Sequence, residues 1–124
     1  MNKTVLIIDD DKNVRALLRD ILAPEGLEVI EADDGMAALN ILKDRKIDLL
    51  ITDRSMPGMG GLELLKEIRS LKNTVPALMI SAYGEESFWG EAIGLGALDY
   101  LVKPFKADDV IRIVRKSLFG GSKK

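Results

Sequence analysis

Five short apolar runs alternate with five stretches of helical periodicity, and no other feature restricts the possible folds of this chain as tightly. Thr4 to Ile8 is a continuous apolar run, the pattern of a parallel strand covered on both faces. Val14, Leu17, Leu18, Ile21 and Leu22 then recur at i, i+3, i+4, i+7 and i+8, which is one face of a helix. Asp11 is its expected cap, and Pro24-Glu25-Gly26 closes it. Leu27 to Ala32 reads as a second short strand. After the turn at Asp33-Asp34-Gly35, Met36, Leu39 and Leu42 mark a second helix ending at Lys43-Asp44-Arg45.

The third strand runs from Ile47 to Asp53. A loop, Pro57-Gly58-Met59-Gly60-Gly61, leads to a third helix marked by Leu62, Leu65 and Ile68. Val75 to Ser81 is the fourth strand, with Pro76 near its start, where a missing donor is tolerated. The fourth helix, about Glu85 to Leu95, carries Gly90 and Gly94, each costing ~1 kcal/mol relative to alanine. It is therefore expected to be the most mobile helix. Leu98 to Val102 is the fifth strand, followed by Lys103-Pro104-Phe105. Asp108 and Asp109 open a fifth helix that ends near Arg115 and Lys116, and both placements suit the helix dipole. Residues 120–124, Gly-Gly-Ser-Lys-Lys, read as a flexible C-terminal tail or a truncated linker.

Five βα units in series imply right-handed crossovers and an α/β three-layer sandwich around a doubly wound parallel sheet. At 124 residues the chain is one domain, long enough to bury a single core. It has no cysteine, so thiolate metal sites and disulfides are excluded; it has no histidine, so imidazole bases and ligands are excluded too. A net charge of −2 offers no footprint for nucleic acid or an anionic membrane, and no apolar run reaches the ~18 residues of a membrane span. The expectation is a soluble, cytoplasmic module.

Chemistry-bearing residues sit where the apolar runs stop. Asp9-Asp10-Asp11 follows the first strand, Asp53 ends the third, Ser81 the fourth, and Lys103 follows the fifth. In such a sheet the active crevice lies at the carboxyl ends of the strands, beside the point where strand order reverses. In the order 2-1-3-4-5 that point falls between strands one and three, so Asp9, Asp10 and Asp53 converge there. Two carboxylates ~5 Å apart repel by about 3 kcal/mol at an effective dielectric near 20, so a hard divalent cation is the natural counter-charge. A cation, a lysine and a hydroxyl around one carboxylate are the parts of a phosphoryl-transfer site.

Ile7-Ile8-Asp9-Asp10, Thr52-Asp53-Arg54-Ser55-Met56-Pro57-Gly58, Met79-Ile80-Ser81-Ala82 and Asp99-Tyr100-Leu101-Val102-Lys103-Pro104-Phe105 together resemble the receiver domain of two-component response regulators. The resemblance runs from about Lys3 to Leu118. It implies a flavodoxin-like sheet in the order 2-1-3-4-5, with residues 1–119 as the receiver domain. It implies a signalling domain rather than an enzyme: Asp53 is the phosphoacceptor, and a sensor histidine kinase or phosphotransfer protein supplies the phosphoryl group in trans. Mg²⁺, with Mn²⁺ as a substitute, is bound by Asp10, Asp53 and the backbone carbonyl of Ser55, and by Asp9 through water. Lys103 contacts the phosphoryl group, Ser81 moves to hydrogen-bond it, and Tyr100 follows inward. The Lys103-Pro104 peptide is cis in this family. Ser55 and Tyr83 tune phosphoryl lifetime, Tyr83 by shielding the group from water.

The output face implied by the resemblance is helix four, strand five and helix five, read by an effector domain or partner protein, with no direct nucleic-acid or membrane binding. The resemblance also allows a phosphorylation-dependent dimer, but Gly94 and Leu98 stand at two positions often charged in the subfamily that dimerises through this face, which argues against that dimer here. Val14, Arg15 and Leu18 on helix one are suggestive of kinase recognition. Gly60 stands where the family often has an acidic residue. Phe88-Trp89 is unusual for helix four. Trp89 either packs on the neighbouring helix or lies partly exposed, or else forms with Phe88 an aromatic anchor for a partner.

Two other readings stay open on the residues alone. Haloacid-dehalogenase-type phosphatases use an Asp-x-Asp motif after strand one, which Asp9-Asp10-Asp11 matches formally, but Asn13 departs from that pattern and Asp53 is left unexplained. A flavin or nucleotide site needs a Gly/Ser/Thr-rich cradle after strand one, and the acidic run there would repel phosphate.

Overall fold

Successive residues of a strand point to opposite faces, and here both faces are apolar. In β1 (Thr4–Ile8) every residue is buried. Val5 and Ile7 join one core with Leu49, Ile51, Leu78 and Ile80; Leu6 and Ile8 join a second core with Leu50, Ala77 and Met79. α1 (Lys12–Leu22) and α5 (Ala107–Phe119) cover the first core, through Leu18, Leu22, Val110, Ile113 and Val114. α2 (Gly35–Asp44), α3 (Gly61–Ser70) and α4 (Glu86–Gly94) cover the second, through Ala38, Leu39, Leu64, Leu65, Ile68, Phe88 and Ala92. Each fully buried leucine or isoleucine contributes about 2 kcal/mol. The structure, a computed structural model, describes residues 2–82 and 86–120.

The sheet is parallel throughout. Its order is β2 (Glu28–Ala32), β1, β3 (Leu49–Asp53), β4 (Ala77–Ser81), β5 (Ala97–Val102), the expected 2-1-3-4-5. The expected caps are in place: Asp11 accepts from the Asn13 N–H at 2.8 Å, and Asp34 from the Ala37 N–H at 2.8 Å. A 3₁₀ turn, Ala23–Glu25, closes α1, with Gly26 in the left-handed region at φ 81°.

Four strand boundaries differ from the sequence expectation: β2 starts at Glu28 rather than Leu27, and the other three differ each for a local reason. β3 starts at Leu49 rather than Ile47, because Asp48 turns its carboxylate to accept the Thr4 N–H at 2.8 Å. β4 starts at Ala77 rather than Val75. The Val75 N–H goes to Asn73 Oδ1 and its carbonyl to Arg69 Nη1, so neither group is left for the ladder. β5 begins one residue earlier than expected, at Ala97, and the pairing skips Leu98 between Ala77↔Ala97 and Leu78↔Asp99. That irregularity leaves Leu98 exposed.

α4 contains both glycines as expected, and a Cβ at Gly90 would meet nothing within 4 Å. Gly90→Ala is accordingly expected to stabilise the fold by about 1 kcal/mol, read as a higher urea midpoint, and to slow amide exchange within α4. Glu85 and the tail from residue 121 onward lie outside the described residues. Among the described residues no helix is long and apolar enough to cross a membrane.

Candidate functional site

The carboxyl ends of β1 and β3 set the geometry. Their register pairs Ile7 with Ile51 and Ile8 with Thr52, so one further step brings Asp9 level with Asp53. Both follow the alternation of the α1/α5 face, and both are buried. Asp10 is exposed beside them. Carboxylate oxygens of Asp9, Asp10 and Asp53 lie within 4.8 Å of one another, three hard donors grouped as a divalent cation requires.

Lys103, just beyond β5, points back into this cluster. Its Nζ is 3.5 Å from Asp53 Oδ2 and 3.7 Å from Asp9 Oδ2. Its backbone N–H donates to the Ser81 carbonyl at 2.8 Å, and the Lys103-Pro104 peptide is cis. Desolvation raises the pKa of Asp53 above the ordinary carboxylate value, against the pull of Lys103 and the backbone N–H groups of Ser55 and Arg54. Asp9 is also raised, first by burial and then by Asp53 and Asp10; the Asp11 N–H, 2.9 Å from Asp9 Oδ1, opposes this. One lysine does not balance three acids. The crevice therefore carries an excess of negative charge, which suits a divalent cation.

Ser81 is fully buried at the end of β4. Strand alternation places it on the α2/α3/α4 face, the face that Tyr100 shares through the pairing Met79↔Tyr100 and Ser81↔Val102. Ser55 follows Asp53 at the site, whereas Tyr83 lies outside the described residues.

Gly61 constrains the site sterically in a way the sequence pattern does not single out. α3 begins directly on the chain that carries Asp53: the Gly61 N–H donates to the Arg54 carbonyl at 2.8 Å. A Cβ on Gly61 would collide with the Asp53 carbonyl oxygen and sit 3.1 Å from its carbon. Gly60 occupies the N-cap of α3 and supplies no side-chain cap, which is what its departure from an acidic residue removes.

Trp89 is half-buried, as one of the two readings expected, and packs on β5. Its ring stacks on Tyr100 at 4.7 Å between centroids, and Phe88, buried, meets the same tyrosine edge-on at 6.0 Å. The Arg54 guanidinium lies 4.0 Å above the Phe88 ring, so the residue after Asp53 touches α4. Phe88 is thus core, and the neighbouring exposed apolar residues are Ile93, Leu98 and Val102. On α1, Leu18 is buried, Val14 and Arg15 are half-buried, and Leu17 is the exposed apolar residue.

Residues 5–115 match the response regulator receiver domain family. Among curated proteins, the chain is 40% identical over 119 residues to chemotaxis protein CheY of Bacillus subtilis, covering 95% of this chain and 99% of that protein. It is 36% identical over 118 residues to sporulation initiation phosphotransferase F of the same organism, covering 95% of each. It is 42% identical to the transcriptional regulatory protein CpxR of Escherichia coli, but covers 95% of this chain and only 50% of CpxR. The solved structure of Vibrio cholerae chemotaxis protein CheY4 superposes with a TM-score of 0.89 at 30% identity, covering 95% of this chain and all of that one. A doubly wound sheet with this crevice, matched along nearly the whole chain, makes this protein a member of the response regulator receiver domain family, a phosphoacceptor signalling domain of two-component systems.

Proposed function

We propose that Asp53 accepts a phosphoryl group from the phosphohistidine of a sensor kinase or phosphotransfer protein, and that residues 1–119 work as the receiver unit with 120–124 as tail or linker. The observation that carries this is the grouping of Asp9, Asp10 and Asp53 within 4.8 Å around Lys103. These 124 residues hold no histidine, so the phosphohistidine donor lies outside them. In the transfer the donor's P–N bond breaks as a P–O bond forms to an Asp53 carboxylate oxygen, and the imidazole leaves with the electron pair.

Asp10, Asp53 and the Ser55 carbonyl hold Mg²⁺ or Mn²⁺, with Asp9 acting through water. The bound cation supplies charge neutralisation for the phosphoryl oxygens. Lys103 stands beside Asp53 as the fixed positive charge, and holds the oxygens that Asp53 gains. Modified Asp53 moves from −1 towards −2 and acquires strong acceptors. Ser81 turns to donate to them, and Tyr100, on the same face, follows. That transmits the change to the surface of α4, β5 and α5, where a kinase-controlled effector domain or partner reads it. A second copy of the chain is a partner of the same kind.

Intact-protein mass after incubation with Mg²⁺ and phosphoramidate tests this. A Mg²⁺-dependent phosphate adduct is expected in the native chain and absent in Asp53→Asn. An adduct that persists in Asp53→Asn but disappears in Asp9→Asn would instead establish the phosphatase-type nucleophile.

A further inference from the structure

Asp10 is exposed, and its carboxylate makes no hydrogen bond among the described residues, yet it belongs to the cation-binding group. Its direction therefore depends on the peptide that joins it to Asp9. That peptide is held by one side chain: Arg15 Nη1 donates to the Asp9 carbonyl at 2.6 Å. The other arm of the same guanidinium, Nε, donates to Glu31 Oε1 on β2 at 3.0 Å. Glu31 is in turn fixed by Arg19 Nε at 2.6 Å, and these arginines hold its pKa below the ordinary value, Arg19 most strongly. On the other side the Asp9 N–H donates to the Ala32 carbonyl at 3.2 Å, so β2 and α1 grip the Asp9 backbone from both ends.

We propose that Arg15 is a positioning residue for the metal site: by binding the Asp9 carbonyl it sets the Asp9–Asp10 peptide plane and thereby aims the Asp10 carboxylate at the cation. The inference rests on the metal reading above. It requires a fork: one donor for the backbone and one for Glu31, at fixed relative angle. Arginine supplies both donors, whereas lysine can supply the one to the Asp9 carbonyl without the fixed fork. The side chain is mostly buried, in keeping with a geometric rather than a solvated role.

Position and charge make opposite predictions. Arg15 is a cation close to a cation site, so its loss acting through the field alone tightens metal binding. Its loss acting through geometry weakens it. Outer ligands of this sort are worth about 10–100-fold in metal affinity.

The experiment is a titration with Mn²⁺ alone, followed by the loss of the free-ion electron paramagnetic resonance signal, on the full chain and four variants. The expected result is binding about tenfold weaker in Arg15→Gln, partly recovered in Arg15→Lys, and unchanged in Arg19→Gln. Arg19 shares Glu31 with Arg15 and donates to the Val29 carbonyl instead of the Asp9 carbonyl, so Arg19→Gln disturbs the ion network without releasing the peptide. Binding that is unchanged or tighter in Arg15→Gln overturns the proposal. So does equal weakening in Arg19→Gln, which would make the effect one of general stability. If Arg15→Gln does not fold, Arg15→Lys against Arg19→Gln decides the question in the same way. The fourth variant, Asp53→Asn, separates the two levels. If the native chain does not bind Mn²⁺, or Asp53→Asn binds it equally well, the metal reading itself falls and this inference with it.

Discussion

Gly61→Ala is expected to lose about 3 kcal/mol of stability, near the upper end for overpacking a closed site, and to lose metal binding along with it. The added methyl meets a backbone carbonyl rather than a flexible side chain, and that carbonyl belongs to Asp53. Relief has two routes. α3 moves away, breaking the 2.8 Å bond from the Gly61 N–H to the Arg54 carbonyl and loosening Leu64, Leu65 and Ile68 from the core. Otherwise the end of β3 moves, and the Asp53 carboxylate leaves the position that Asp9 and Lys103 share. Urea unfolding reads the first route and Mn²⁺ affinity the second. An alanine variant equal to the native chain in both would mean that α3 does not rest on the Asp53 peptide. Gly90→Ala is the internal contrast, since the same chemical change there meets open space.

In metal-free buffer at neutral pH, Asp53→Asn is expected to be more stable than the native chain by about 2 kcal/mol, a part of the ~3 kcal/mol repulsion of one carboxylate pair. Asparagine keeps the shape and removes one of three converging charges. The sign follows from the pKa directions. Asp9 and Asp53 are both raised in the folded state, chiefly by burial. The folded chain therefore binds protons more tightly than the unfolded chain, and stability is lost as pH rises through the folded pKa values. Lowering the pH from neutral towards the ordinary carboxylate range should first stabilise the metal-free protein. Glu31 and Glu28 run the other way. Both are held low, by Arg19 and by Arg45 respectively, so their contribution is present above the ordinary value and disappears as pH falls through the folded one. The profile should thus pass through a maximum in mildly acidic buffer.

Added Mg²⁺ should stabilise the native chain at neutral pH, by about 2.7 kcal/mol at a hundred times its dissociation constant, and Asp53→Asn much less. Urea midpoints across a pH series, with EDTA or with Mg²⁺, check all three statements. A native chain already more stable than Asp53→Asn in EDTA would show that Lys103 fully offsets the crowded acids.

The parts of this protein that follow from periodicity were readable before any coordinates. Alternation within Thr4–Ile8 and Leu49–Asp53 places Asp9 and Asp53 on one face; the strand order that makes them neighbours comes from the family resemblance and not from periodicity. Helix caps at Asp11 and Asp34 are equally local. What escaped were interactions between a side chain and distant backbone. Arg15 shows as one more charge on an amphipathic helix; nothing in its spacing reveals that it reaches the Asp9 carbonyl and Glu31 at once. Gly61 resembles an ordinary loop glycine until α3 is seen resting on Asp53. Arg69 is similar, since its guanidinium collects the carbonyls of Asn73, Val75 and Leu95 and so shortens β4. Backbone carbonyls carry no sequence signature, which is why such partners are invisible in the chain alone.

The stack of Trp89 on Tyr100 has a consequence for how readily the domain signals. An aromatic pair of this geometry is worth roughly 0.5–1.5 kcal/mol beyond the area it buries. Any conformer in which Tyr100 leaves that ring forfeits this energy, so the unmodified chain is biased against it by a factor of about 2 to 12. Under the proposed movement of Tyr100, leakage in the absence of stimulus would be suppressed by the same factor, and Trp89 would act as a set-point for the threshold of the domain without altering the chemistry at Asp53.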